Sequence, residues 1–309
     1  MNAAGRLGLY GAALAATFAV AFGAAGLVAP RGAAPQSIPQ QEERNMQGHD
    51  MHAPTAEPSP GHGGHTATET ASGVAQAAGG FVLAPVSAPG TVGESGELSF
   101  RILDPAGSPV TAYAPQHEKD LHLIVVRSDG ARFRHVHPAL DRATGTWSLP
   151  WTWDAAGSYR VFADFAASGA DPVTLTRTVD VAGSFTPAHP ETTDTARVDG
   201  FEARITGDLV PGSASELTVT ITRDGAPVTA LQPYLGAFGH LVALREGDLA
   251  YLHVHPEGAE PSPGEVSGPD VRFGAQVPTA GRYLLYFDFQ VDGVVHTAAF
   301  VRDATTHAH

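Results

Sequence analysis

The chain has 309 residues, with 18 Lys and Arg against 32 Asp and Glu, giving a net charge of -14. That balance repels nucleic acid and anionic headgroups and attracts cations. Apolar residues at 43% support real cores in two ordinary domains, and 35 Gly with 24 Pro promise many turns. The absence of cysteine excludes disulfides, thiolate metal sites and a lipid-modified N-terminal cysteine.

No charged residue stands between Arg6 and Arg31. As a helix, Leu7 to Pro30 would reach about 36 Å, against about 30 Å for a hydrocarbon core. Residues 1–30 are therefore expected to be a transmembrane anchor. The small residues Ala24-Ala25-Gly26 allow the other reading, a cleaved signal peptide. Either route exports the remainder, leaving it extracytoplasmic and anchored to the cell membrane, or secreted after cleavage.

Residues 31–80 are rich in Pro, Gly, Ala, Gln, Thr and Glu and show no sustained period, so they read as a disordered tether. The tether carries Met46, His49, Met51 and His52, followed by His62 and His65. Thioether sulfur favours Cu(I), while imidazole suits Cu(II) and zinc. The expectation is a weak copper-binding segment.

From Phe81 the pattern becomes short alternating runs with frequent turn residues, the signature of an all-β sandwich. It recurs at Phe201. Ala156-Gly157-Ser158-Tyr159 matches Ala280-Gly281-Arg282-Tyr283, and Asp164-Phe165 matches Asp288-Phe289. We therefore expect two tandem immunoglobulin-like β-sandwiches, at 81–182 and 197–303. A linker at 183–196 joins them, and a histidine-containing tail occupies 304–309.

The sharpest chemical signal is a duplicated tetrapeptide, His135-Val136-His137-Pro138 and His253-Val254-His255-Pro256. Each copy follows another histidine, His122 or His240, across an apolar strand and a polar turn. Folded as a hairpin, each copy should set His122 opposite His135 and His240 opposite His253, with His137 and His255 on the same faces. Imidazole is the commonest metal ligand at neutral pH. His117 is the candidate fourth ligand in the first domain and His296 in the second. Asp164 and Asp288 would either orient an imidazole or ligate, with a strand-end turn cap as the plain alternative.

These features resemble exported, membrane-anchored actinobacterial proteins with tandem immunoglobulin-like domains and His/Met-rich tethers. More distantly, they are similar to extracytoplasmic copper-resistance β-sandwich proteins. The resemblance rests on the two His-Val-His-Pro hairpins and on Met46 to His52, and implies binding, sequestration or delivery of copper or another transition metal. The N-terminal histidine ligand of the copper-resistance proteins has no match here. His-Val-His on a sandwich is also similar to copper/zinc superoxide dismutases, which implies a copper-dependent redox enzyme as a minor alternative, although this chain lacks their disulfide and zinc-holding histidine loop.

The expected function is thus non-enzymatic transition-metal binding, most of all copper, with zinc as the second choice. The alternative is a structural or adhesion module that presents a protein-binding surface, to which Trp147, Trp151 and Trp153 could contribute. No phosphate loop, Gly-x-Ser-x-Gly elbow or basic stripe supports nucleotide, serine-hydrolase or nucleic-acid chemistry.

Overall fold

The computed structural model of the protein describes residues 73–252, 254–262 and 264–306. The expected anchor, the tether with Met46, His49, Met51 and His52, His253, and the terminal His307 and His309 lie outside the described residues. Among the described residues every regular element is a strand, and no helix is long and apolar enough to cross a membrane.

The first half forms β1 (Ala77–Ala78), β2 (Phe81–Leu83), β3 (Ser95–Leu103), β4 (Tyr113–Ala114), β5 (Leu121–Arg127), β6 (Arg134–Val136), β7 (Ala139–Asp141), β8 (Thr146–Thr152), β9 (Gly157–Ala167) and β10 (Val173–Val181). One sheet runs β1-β2-β3-β8-β7 and the other β10-β9-β5-β6, with β4 beside β9.

The second half forms β11 (Thr195–Val198), β12 (Phe201–Thr206), β13 (Ala214–Arg223), β14 (Ala226–Pro227), β15 (His240–Arg245), β16 (Tyr251–Leu252), β17 (Val254–Pro256), β18 (Asp270–Gln276), β19 (Gly281–Val291) and β20 (Val294–Ala304). Its sheets run β11-β12-β13-β18-β17, with β14 beside β13, and β16-β15-β19-β20. Both halves are immunoglobulin-like β-sandwiches, arranged in tandem.

Strand parity explains where the side chains go. On β5, Leu121, Leu123 and Val125 enter the core of the first sandwich, together with Trp147, Trp151, Trp153, Tyr159 and Phe165. The three tryptophans are therefore buried packing, not an exposed surface. On β15, Leu241 and Ala243 enter the second core with Phe273, Leu285, Phe287 and Phe289.

The alternate residues of the same strands meet each other. Ile124, Val126 and Phe162 from the first sandwich pack with Val242, Leu244, Leu249, Tyr251, Leu284 and Tyr286 from the second. Leu121 to Val126 is buried on both faces, so it reads as an almost unbroken apolar run. Burying an aliphatic side chain of this size stabilises by roughly 1.5–3 kcal/mol, so the shared cluster holds the two sandwiches together.

Equivalent residues occupy both sides of this seam. Phe133 stacks on Tyr286 with ring centroids 4.0 Å apart, and the counterpart pair Tyr251 and Phe162 lies at 5.9 Å. The Tyr286 hydroxyl donates to the Gly130 carbonyl at 2.6 Å. Gly130 sits at φ +80°, and a Cβ there would come within 2.6 Å of Leu284 Cδ1. Only glycine fits both the turn and the close approach.

Candidate metal centre

The interface stripe ends in polar residues. Along β5 it runs Val126, Ile124, His122, and along β15 Leu244, Val242, His240. On the neighbouring strands His122 stands opposite Asp164, and His240 opposite Asp288. The apolar seam thus continues into a buried patch of imidazoles and carboxylates contributed by both sandwiches.

His122 and His240 are held alike. The Nε2–H of His122 donates to the Gln116 carbonyl at 2.9 Å, and that of His240 donates to Tyr234 at 2.8 Å and Leu235 at 3.1 Å. Both bonds brace the turn before the strand, which is reason enough for duplication to keep both histidines. Because a carbonyl can only accept, the proton is on Nε2 and the lone pair on Nδ1.

The first hairpin pairs Leu123 with Val136, Ile124 with His135 and Val125 with Arg134. His135 is therefore opposite Ile124, two places from the expected partner His122. A slip of two preserves parity, so His122, His135 and His137 still share a face. Their ligating nitrogens all lie within 4.8 Å of one another. His122 Nδ1 is 2.9 Å from His135 Nε2 and 3.1 Å from His137 Nε2.

His135 is oriented from the other sandwich. Its Nδ1–H donates to Asp288 Oδ2 at 2.8 Å, with both side chains at most 5% exposed. Thr297 in turn donates its hydroxyl to Asp288 Oδ1 at 2.5 Å. A carboxylate that fixes an imidazole tautomer is the usual support of a histidine ligand. It turns His135 Nε2 towards the Nδ1 lone pair of His122.

Two imidazole nitrogens at 2.9 Å need a proton or a metal ion between or beside them. Burial, reinforced by the neighbouring His135, pushes His122 down to about 3 and His137 to about 3. Burial likewise lowers His240 to about 4. Protons are thus disfavoured on His122, His137 and His240 at neutral pH, which leaves these rings able to face a metal ion.

The spacing agrees. Two nitrogens on a tetrahedral ion at about 2.05 Å are roughly 3.3 Å apart, which places their ring centroids about 5 Å apart. The three ring pairs measure 5.2, 4.9 and 5.0 Å.

In the second His-Val-His-Pro the chain goes elsewhere from Val254 on. β15 pairs with β16 only through Ala243–Leu252 and Leu244–Tyr251. The chain then crosses to the other sheet, where Val254 pairs with Ala275 and His255 with Gly274. His255 is exposed there, on the sheet opposite the one that carries His240.

His296 is not brought to it either. It stands opposite Phe289 while Thr297 stands opposite Asp288, so His296 faces the second sandwich's own core side. Its Nδ1–H donates to Asp199 at 2.8 Å, and its ring packs against Phe201 and Phe289. Thr297, not His296, is the counterpart of Thr174, which donates to Asp164 at 2.8 Å.

The profile of one family matches the chain twice, over residues 79–183 and 196–306, and its description is "Domain of unknown function (DUF8832)". The chain belongs to this family. Each match covers one sandwich, so the family's unit is the single repeat and this chain carries two. No curated protein matches the chain.

Among solved structures the chain is similar to the Yersinia pseudotuberculosis adhesin InvE, at 14% identity over 72% of this chain and 58% of that one, with a TM-score of 0.21. It is similar to invasin, a bacterial integrin-binding protein, at 12% identity over 74% and 39%, TM-score 0.21. The D0-D1 domain of intimin gives 13% identity over 73% and 97%, TM-score 0.21. The chain thus spans under two thirds of the length of the first two.

Proposed function

We propose that this protein binds one transition metal ion, copper or zinc, through His122, His135 and His137. Asp288 of the second sandwich holds His135 in its ligating tautomer. The observation that carries the reading is the 2.9 Å approach of His122 Nδ1 and His135 Nε2, each with its other nitrogen committed to an acceptor. Imidazole donors without thiolate suit Cu(II) and zinc, and the tether's methionines would add Cu(I). With the charge-free N-terminal run, the role is extracytoplasmic metal binding, sequestration or delivery at the cell membrane.

The test is elemental analysis of the untagged full chain beside His137→Ala. The parent should retain one more tightly held copper or zinc ion than the variant after exposure to a competing chelator. Equal retention would sink the reading.

A second reading keeps the tandem sandwiches as a rigid structural or adhesion module. The extensive apolar seam between them supports it, since it fixes two immunoglobulin-like units in one orientation. On that reading the imidazole cluster is interface packing, and removing it should alter stability while leaving metal retention untouched.

A further inference from the structure

We propose that the outer edge of β20 is a self-association surface, on which a second copy of this chain adds its own β20 antiparallel across a two-fold axis. The inference is independent of the metal reading and uses none of the triad's ligands.

The two sandwiches end alike and are finished differently. β10 and β20 each close a sheet, beside β9 and β19. In the first sandwich the incoming chain fills the space next to β10. Thr176 donates its N–H to the Ala75 carbonyl at 2.9 Å, and Gly73 lies against Thr174, Phe162 and Tyr251. Thr174 and Thr176 are therefore buried, at 6% and 2% exposure. In the second sandwich the incoming chain is held elsewhere. The Ala188 N–H donates to Asp129, on the first sandwich's hairpin, at 2.7 Å. The chain meets β20 at Thr193, which exchanges both backbone bonds with Val301. Thr297, the counterpart of Thr174, and Ala299 stay exposed, as do Val294 at 55% and Val295 at 38%.

The bonds to Thr193 fix the parity of the edge. Val301 bonds outward, so Ala299, Thr297 and Val295 present their N–H and C=O groups outward too. Among the described residues no strand lies outside β20 along 294–299. Such an open row is a template for another strand, which proteins commonly block with charge, proline or a bulge. Val294-Val295-His296-Thr297-Ala298-Ala299 has no Asp, Glu, Lys, Arg or Pro, and its register with β19 is unbroken.

A second copy fits this edge in one register. Outward-bonding residues must face each other, and β20 meets that condition with itself when Thr297 sits on the two-fold axis. Thr297 then faces Thr297 of the other copy, and Val295 faces Ala299. Threonine opposite threonine is a favourable cross-strand pair. A net charge of -14 opposes most self-contacts, but this stretch carries none of it. The same register turns Asp292 of each copy towards Arg302 of the other. Arg302 donates to the carbonyls of Ile205 and Gly207, neutral acceptors that leave its charge for an incoming aspartate. The paired length is short, under the roughly 1,200 Å² of a standard interface, so the dimer is transient and concentration-dependent.

Sedimentation velocity of the full chain, in chelator and over a concentration series, tests this with Val295→Lys and Ala299→Pro beside the parent. Lysine charges the edge, and proline deletes an outward N–H while taking no bond from β19. The parent should show a monomer–dimer equilibrium that each variant weakens by about 10-fold or more. Thr297→Cys gives a readout that does not depend on those variants. The chain has no cysteine of its own, and residues facing across the axis are about 5.5 Å apart at Cα, within disulfide reach. Oxidised glutathione should link Thr297→Cys into a covalent dimer well before Ala139→Cys, an exposed position on the edge strand β7. A parent that is monomeric at every concentration would overturn the proposal. So would a dimer that both edge variants leave intact, or cross-linking of Thr297→Cys no faster than that of Ala139→Cys.

Discussion

The two His-Val-His-Pro segments are identical in sequence, and from Val136 and Val254 on they part company in the structure. The first stays beside β5, so its histidines meet His122. The second crosses to pair with β18, and His255 leaves the seam. The difference lies downstream. Between β7 and β8 the chain needs only residues 142–145, whereas between β17 and β18 it runs through 257–269. With the longer loop, the strand carrying the motif starts further along β18, and the switch between sheets comes before His255. The first copy thus gathers His122, His135 and His137 beside Asp288 of the second sandwich, whereas His255 of the second copy stands on the far sheet.

The most direct way to break that contrast is to remove one motif histidine from each copy. His137→Ala should weaken binding of one ion by about 100-fold or more, since structural sites of four ligands reach 10–16 kcal/mol in total. His255→Ala should change it less than about twofold. A competition titration against a chelator of known affinity measures both. Equal losses would mean that the two copies do the same work.

Next in size is the contribution of the second sandwich to the first one's site. Asp288→Asn removes the charged acceptor of His135 and should cost about 10- to 100-fold in metal affinity. A measured effect within twofold would make the His135–Asp288 bond a packing contact only.

Much of this was legible in the sequence. Alternation of apolar residues and regular turns gave the two sandwiches, because a strand's two-residue period is written directly in its residue types. Shared parity of His122, His135 and His137 followed from the same period. The opposition of His122 and His135 did not, because register depends on where the Arg127–Gly130 turn closes. Still less visible was the seam. Ile124, Val126, Val242 and Leu244 look like core residues of their own domains, and nothing local says that they face another sandwich. Asp288 could therefore be expected as an imidazole's partner, but not as the partner of one in the other half. His296 lies one residue from Thr297, which stands opposite Asp288, and that single step turns it to the other face of β20.

Acid should separate the two halves of the cluster from the rest of the fold. His122 and His137 lie near 3 and His240 near 4, all below the ordinary 6.5. As pH falls, the unfolded chain takes up these protons first. Stability of the metal-free chain is therefore complete above about 6.5 and drains away towards pH 4 and 3. Each histidine contributes at most about 1.4 kcal/mol per pH unit. Urea midpoints at successive pH values would show the slope, and His240→Gln should flatten it. A midpoint constant from pH 7 to 4 would mean that these imidazoles are not held neutral.

The smallest effect tests whether the seam and the site are separable. Tyr286→Phe keeps the ring that stacks on Phe133 and deletes only the hydroxyl that donates to Gly130. Losing that bond leaves a half-buried carbonyl short of one donor, which should cost about 1 kcal/mol of folding stability. Tyr286 and Asp288 alternate along β19 on the same face, yet the hydroxyl touches the hairpin turn and not an imidazole. Metal affinity should accordingly stay within about twofold while the urea midpoint falls. If affinity drops with stability, the seam sets the geometry of the triad, and the second sandwich acts through its whole docked face. If only stability moves, Asp288 is the single link by which one sandwich tunes the other.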